Sequence, residues 1–290
     1  MQGSIKLADG RTLSFETAGP RSGFPVVVHH GTPSSQVLGS DLSALADDLG
    51  LLVIGFDRAG YGRSSRKEGR SIADVATDVA ALADHLGLER IATWGISGGG
   101  PHALATAALL GARVVATATF GSVAPYGASG LDFLAGMGDA NLVEFGLARD
   151  DAAGLRAFME EARPGMIAAD PASLVGELSS LLCPADMEMV HGPFVDLLLG
   201  QAGRALSDSY WGWYDDDLAF VRDWGFDLAA LDAPVRIYMG SEDAFVPVTH
   251  GRWLASAVPG AEYVEGEGDG HFSMYSKNLA EAHLFLRSHF

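Results

Sequence analysis

The sequence predicts an α/β fold, a mostly parallel central sheet flanked by helices with an inserted helical segment, on three observations. Apolar runs of strand length alternate with runs of helical periodicity from the N-terminus to Phe120. The alternation then stops and resumes only at Val235. Gly95-Ile96-Ser97-Gly98-Gly99 lies between a strand-like run, Arg90–Trp94, and a helix-like run, Pro101–Ala105. Strands that are apolar almost without interruption have both faces covered, which is the habit of parallel sheets under helices.

The elements follow in order. Ile5 and Leu7 alternate on one arm and Leu13 and Phe15 on the other, around Asp9-Gly10, which predicts an opening hairpin. Pro25–His29 and Leu51–Phe56 read as strands. Ser71, with Asp74 three residues on, starts a helix in which Ile72, Val75, Ala76, Val79, Leu82, Ala83 and Leu86 recur at helical spacing until Gly87. Arg90–Trp94 and Val114–Phe120 are the next strands, and Val235–Met239 and Ala261–Glu265 the last. Residues 122–225 are helix-like and far longer than a crossover needs, and they carry five of the eight methionines and Trp211, Trp213 and Trp224. They are expected to form a helical cap over Ser97, inserted into a core of residues 1–121 and 226–290. Most of those Met and Trp side chains should pack within the cap, with a minority facing a substrate pocket.

Composition bounds the partners. A net charge of -18 disfavours nucleic acid and anionic membrane surfaces, which need clustered Lys and Arg. No apolar run is long enough for a membrane helix and Met1–Lys6 lacks the apolar stretch of a signal peptide, so a cytoplasmic protein acting on a small molecule is expected. Cys183 is the single cysteine, so no internal disulfide forms. No His-Glu-x-x-His metal motif occurs and Gly266-Glu267-Gly268 has the wrong charge for phosphate, so neither a metal nor a cofactor is expected.

A serine on a sharp strand-to-helix turn projects its hydroxyl at a helix N-terminus, which makes Ser97 a candidate nucleophile. A hydroxyl attacks only when an imidazole takes its proton, and the imidazole needs a carboxylate to fix its tautomer. His271 follows the last strand and Asp243 the one before it, which places them as base and orienting acid, with Glu242 and Asp269 as rival acids. A negatively charged intermediate needs backbone N–H donors: Gly98, after the nucleophile, and one from His30-Gly31-Thr32-Pro33, where Pro33 has none, leaving Thr32 ahead of Gly31. His30 is expected to brace that loop. The glycines of Asp57–Ser64 are expected to turn the chain, with Asp57 and Arg58 pairing locally.

These motifs together, His30–Pro33, Asp57–Ser64, the turn at Ser97, Gly240-Ser241-Glu242-Asp243 and Gly270-His271, resemble the α/β-hydrolase superfamily along nearly the whole chain. Within it the chain is most similar to capped bacterial serine hydrolases grouped with proline iminopeptidases, lactonases and carboxylesterases. The resemblance implies hydrolysis of an ester, lactone or related acyl bond of a modest, partly apolar substrate. The turn departs from the Gly-Gly-Ser-Trp-Gly usual in proline iminopeptidases, and its Ser argues against the dehalogenases and epoxide hydrolases that carry Asp there. Alternatives are an aminopeptidase in which a cap carboxylate such as Glu144, Glu160 or Glu161 binds a free amine, most of these acids being expected to face solvent; a lyase, carbon–carbon hydrolase or perhydrolase on the same residues; and a non-catalytic ligand receptor.

Overall fold

A computed structural model describes residues 1–290. The hairpin is β1 (Gln2–Lys6) and β2 (Thr12–Ala18), followed by β3 (Phe24–His29), α1 (Ser40–Leu49), β4 (Leu51–Phe56), α2 (Val75–Leu86), β5 (Ile91–Ile96), α3 (Gly99–Leu110) and β6 (Val114–Phe120). Six helices then succeed one another without a strand: α4 (Asp139–Asp150), α5 (Ala152–Ala168), α6 (Pro171–Leu178), α7 (Pro184–Met187), α8 (Gly192–Leu206) and α9 (Trp211–Phe220). The chain ends with β7 (Val235–Gly240), α10 (Val248–Ala257), β8 (Glu262–Gly266) and α11 (His271–Arg287). No helix is long and apolar enough to cross a membrane.

The eight strands form one sheet in the order β1-β2-β4-β3-β5-β6-β7-β8. Only β2 runs against its neighbours; every pairing from β4 to β8 is parallel. Side chains alternate between faces as the pleat requires. Val27, Ile54 and Ile91 enter a core with α2 and α3, whereas Val26, Val53 and Trp94 enter a second core with α1 and α11. Each fully buried aliphatic side chain contributes roughly 1.5–3 kcal/mol relative to exposure. That reserve lets the loops above the sheet hold strained or polar arrangements.

The sheet order locates the crevice. α1, after β3, packs on one face, and α3, after β5, on the other, so the loops leaving these adjacent strands part at their C-terminal ends. Such a switch point is where open parallel sheets take ligands. The loop after β3 carries His30–Pro33, and the one after β5 carries Ser97.

The helix expected from Ser71 opens as a tight turn over Ile72–Asp74, and α2 begins at Val75. The Asp74 carboxylate accepts from Ser71 N–H at 2.7 Å, which satisfies the donor there and shortens the first turn. Gly87 at φ 73 closes α2, a conformation that glycine adopts without strain.

Candidate functional site

Ser97 is the one non-glycine residue with positive φ, at 54, the left-handed region that a serine adopts only when its surroundings impose it. Those surroundings are close backbone. Ser97 N–H donates to Phe120 O at 2.8 Å. A Cβ on Gly99 would lie 2.7 Å from the carbonyl carbon of His29, and one on Gly95 would strike the Gly99 backbone. Glycine on either side is therefore what lets the strand turn into α3 within three residues.

Asp243, after β7, and His271, the first residue of α11, meet. Asp243 Oδ2 accepts from His271 Nδ1 at 2.6 Å, and Asp243 Oδ1 accepts from the N–H groups of Phe245 and Val246 at 2.9 Å each. With Nδ1 holding its proton toward the carboxylate, Nε2 is the free nitrogen of the neutral ring. The Phe245 ring lies against the imidazole at 4.9 Å between centroids. Burial works against charging His271, but the adjacent Asp243 carboxylate outweighs it, with Asp186 adding to the effect, and the pKa lies above the ordinary histidine value.

Gly121 ties this pair to Ser97. Its N–H donates to Tyr238 O, its neighbour Phe120 receives the Ser97 N–H, and at φ 52 a Cβ on it would lie 2.7 Å from His271 Cε1 and Nδ1 and 3.2 Å from Asp243 Oδ2. The imidazole thus rests directly on the backbone at the end of β6.

The loop after β3 is clamped from below. Arg58, fully buried, donates to His30 O and, through Nη2, to Gly31 O and Thr32 Oγ1 at 3.0 Å each. Asp216 on α9 pairs with Arg58 and Arg70 at 2.6 Å each and accepts from the Tyr61 and Thr32 hydroxyls at 2.8 Å. Burial opposes ionisation of Asp216, but the two guanidinium groups hold its carboxyl well below the usual range. His30 Nε2 accepts from Arg58 N–H at 3.1 Å, so His30 braces the loop as expected. His102 Nδ1–H donates to Gly98 O at 2.8 Å, and burial takes this ring down to about 3, so it stays neutral. The clamps use carbonyls and side chains, and neither Gly98 N–H nor Thr32 N–H is consumed by an acceptor within the protein.

Ser97, Thr32 and Gly98 line one cavity of about 80 Å³. Phe145, Phe220, Phe245, Val123 and Val246 form its apolar wall, and Asn141, Glu144 and Asp217 its polar wall. A larger cavity, about 150 Å³, lies between α8 and the core on the far side of Gly31 and does not reach Ser97.

A family model described as the alpha/beta hydrolase fold matches residues 25–278. The chain belongs to the α/β-hydrolase family. This hydrolase is 37% identical over 123 residues to a non-heme chloroperoxidase from Streptomyces lividans, a match covering 42% of each chain. It is 36% identical over 110 residues to a proline iminopeptidase from Xanthomonas citri, covering 37% of this chain and 35% of that one. The chain thus matches well under half the length of these curated relatives. Solved structures agree along the whole chain: a bromoperoxidase from Bacillus anthracis at TM-score 0.73 and 24% identity, covering 99% of this chain and all of that one, and an esterase from a Rhodococcus species at TM-score 0.68 and 23% identity, covering 100% and 99%. At such identities the structures show the shared fold.

Two sequence expectations are corrected. Asp57 and Arg58 do not pair with each other: Asp57 accepts from Gln36 and Arg63 N–H and meets Arg204, while Arg58 turns under the loop to Asp216, a partner 158 residues away. No Met or Trp of segment 122–225 lines the Ser97 cavity; Trp213 and Met159 pack inside the segment, Trp224 and Met137 pack on the main core, and phenylalanines face the cavity. The glutamates named from sequence divide as expected: Glu160 and Glu161 are exposed, Glu160 meeting Arg156 and Tyr210, and Glu144 alone lines the cavity. The rival acids lie elsewhere, Glu242 exposed and Asp269 paired with Lys277. Asp216, Asp217, Asp186 and Gly121 escaped sequence reading, since their partners are distant in the chain.

Proposed function

We propose that the protein is a cofactor-independent serine hydrolase that cleaves a carboxylic ester, lactone or related acyl bond of a small, partly apolar molecule through an acyl-enzyme. The observation that carries this reading is the buried 2.6 Å contact from Asp243 to His271 Nδ1, which leaves Nε2 as the proton acceptor. Ser97 Oγ attacks the carbonyl carbon as its proton passes to His271 Nε2. The oxygen gains negative charge facing the N–H groups of Gly98 and Thr32, and collapse expels the leaving group with the proton from His271. Water, deprotonated by His271, then releases the acid and restores Ser97. These residues supply nucleophile, base and charge stabilisation, so the sequence of steps balances without a further group. Helices α4–α9 act as the cap, which shields the acyl-enzyme from bulk water.

A fluorophosphonate probe should label the wild-type protein on Ser97 and leave a folded Ser97→Ala variant unlabelled, and hydrolysis of aryl esters should fall about 10⁴-fold or more in that variant. Labelling at another residue with turnover retained overturns the assignment.

A second reading is favoured by Glu144 and Asp217. Burial, and then the Glu144 charge beside it, push the Asp217 carboxyl well above its usual range, and burial raises Glu144. Both carboxyls line the Ser97 cavity, and Glu144 accepts from Trp213 Nε1 at 2.6 Å. Two neighbouring carboxyls in the cavity with Ser97 would suit an acyl substrate with a free amine, as in an aminopeptidase. Aminoacyl anilides hydrolysed faster than neutral aryl esters of equal size, with the preference lost in Glu144→Gln, would select this reading; the reverse preference removes it.

A further inference from the structure

His271 is the first residue of α11, so the ring is aimed by whatever holds the first turn of that helix. The exposed donors of a helix start need acceptors, and here they come from a distant part of the chain. Asp186 on α7 is fully buried, and its carboxylate accepts four hydrogen bonds from this turn: His271 N–H at 2.9 Å to Oδ2, and Phe272 N–H at 3.1 Å, Ser273 N–H at 2.7 Å and the Ser273 hydroxyl at 2.8 Å to Oδ1. The fit is close. A Cβ on Gly270 would lie 2.6 Å from Asp186 Cγ and 2.8 Å from Cys183 Sγ, so glycine at 270 lets the turn approach the carboxylate.

We propose that Asp186 is a positioning residue for the general base, a carboxylate supplied by the helical segment between β6 and β7 that fixes the His271 backbone and offsets the positive end of α11 beside the ring. This rests on the reading of His271 as base. A helix N-terminus carries about half a positive charge, which disfavours an imidazolium at the same place. Asp186 opposes that field from the helix side while Asp243 opposes it through Nδ1. No other charged group joins them: Lys277 and Asp269 pair with each other, and the Cys183 thiol touches Gly270 and Gly268 O. The assignment also links the cap mechanically to the catalytic ring, because displacing α7 would withdraw all four acceptor contacts at once.

The test compares wild type with Asp186→Asn, whose amide oxygen can still accept at the Oδ1 position while the charge and the bond to His271 N–H are lost. Aryl-ester kcat should fall about 10-fold with KM changed less than about twofold, since the loss concerns the transition state. The acid limb of kcat/KM, and the His271 ring titration followed by NMR, should both move down by about half to one pH unit, as removal of a nearby negative charge dictates. Asp186→Ser, a neutral capping side chain, should show the same shift and keeps the measurement available if the amide variant does not fold. A lowered kcat with the limb and the ring titration unmoved makes Asp186 a structural cap alone and overturns the proposal. A wild-type protein with no acid limb and full turnover in His271→Ala overturns the base reading together with it.

Discussion

Gly121→Ala offers a sharp perturbation of the candidate site, because one added methyl group meets both His271 and Asp243 while no polar atom is removed. The new Cβ would sit 2.7 Å from His271 Cε1 and Nδ1, where carbon contacts settle at about 3.5 Å or more, so the ring or the turn must yield by about 0.8 Å. Alanine at φ 52 also stands in the left-handed region, which costs about 1–2 kcal/mol. With an unfolding entropy near 2.1 cal/mol/K per residue, a chain of this size should lose only about 2–3 °C in Tm from that strain. Catalysis should suffer more, because a misplacement of about 1 Å is worth about 10²-fold in rate, so kcat should drop about 30- to 100-fold with KM nearly constant. Aryl-ester kinetics beside a thermal melt separate the two effects. A variant that melts as expected yet keeps wild-type kcat refutes the reasoning, since either the imidazole has slack at this contact or it is not the base.

Asp243→Asn should lower kcat by up to about 10⁴-fold by stabilising the wrong imidazole tautomer, while Asp269→Asn and Glu242→Gln remain within about tenfold of wild type; parallel kinetics with melts decide, and the opposite ranking moves the acid to Asp269. The base acts when neutral and its pKa is raised, so kcat/KM should fall with acid around a midpoint above 6.5. The same raised pKa makes the His271–Asp243 contribution to stability full below the unfolded histidine pKa and lost as pH rises through the folded value, so activity and this part of Tm should change in opposite directions across that window. Asp216→Ala strands two buried guanidinium groups and should destabilise the fold by about 3–5 kcal/mol in denaturant titration. The stability that Asp216 contributes is present above the usual carboxylate pKa and should be lost as pH falls toward its lower folded value.

The sequence by itself determined the sheet strands, their boundaries to within a residue or two, and the helical character of the long interval between Phe120 and Val235. These follow from local quantities: the period of apolar residues, β-branched runs, and glycines that stop a helix or turn a strand. Ser97, His271 and Asp243 were legible for a related reason, since each lies just beyond the end of a strand, and the sheet order carries those ends to one edge. Only the tertiary structure decided which polar groups are partners. Arg58 beside Asp57 reads as a local pair, yet its guanidinium lies under the loop after β3 and meets Asp216 on α9. Nothing in the neighbourhood of Asp186 marks it as the cap of α11, and nothing near Glu144 marks Asp217 as its companion. Desolvation governs these pairings: once packing has removed water from a charge, the partner is whichever complementary group the fold brings within reach, and sequence separation has no bearing on that distance.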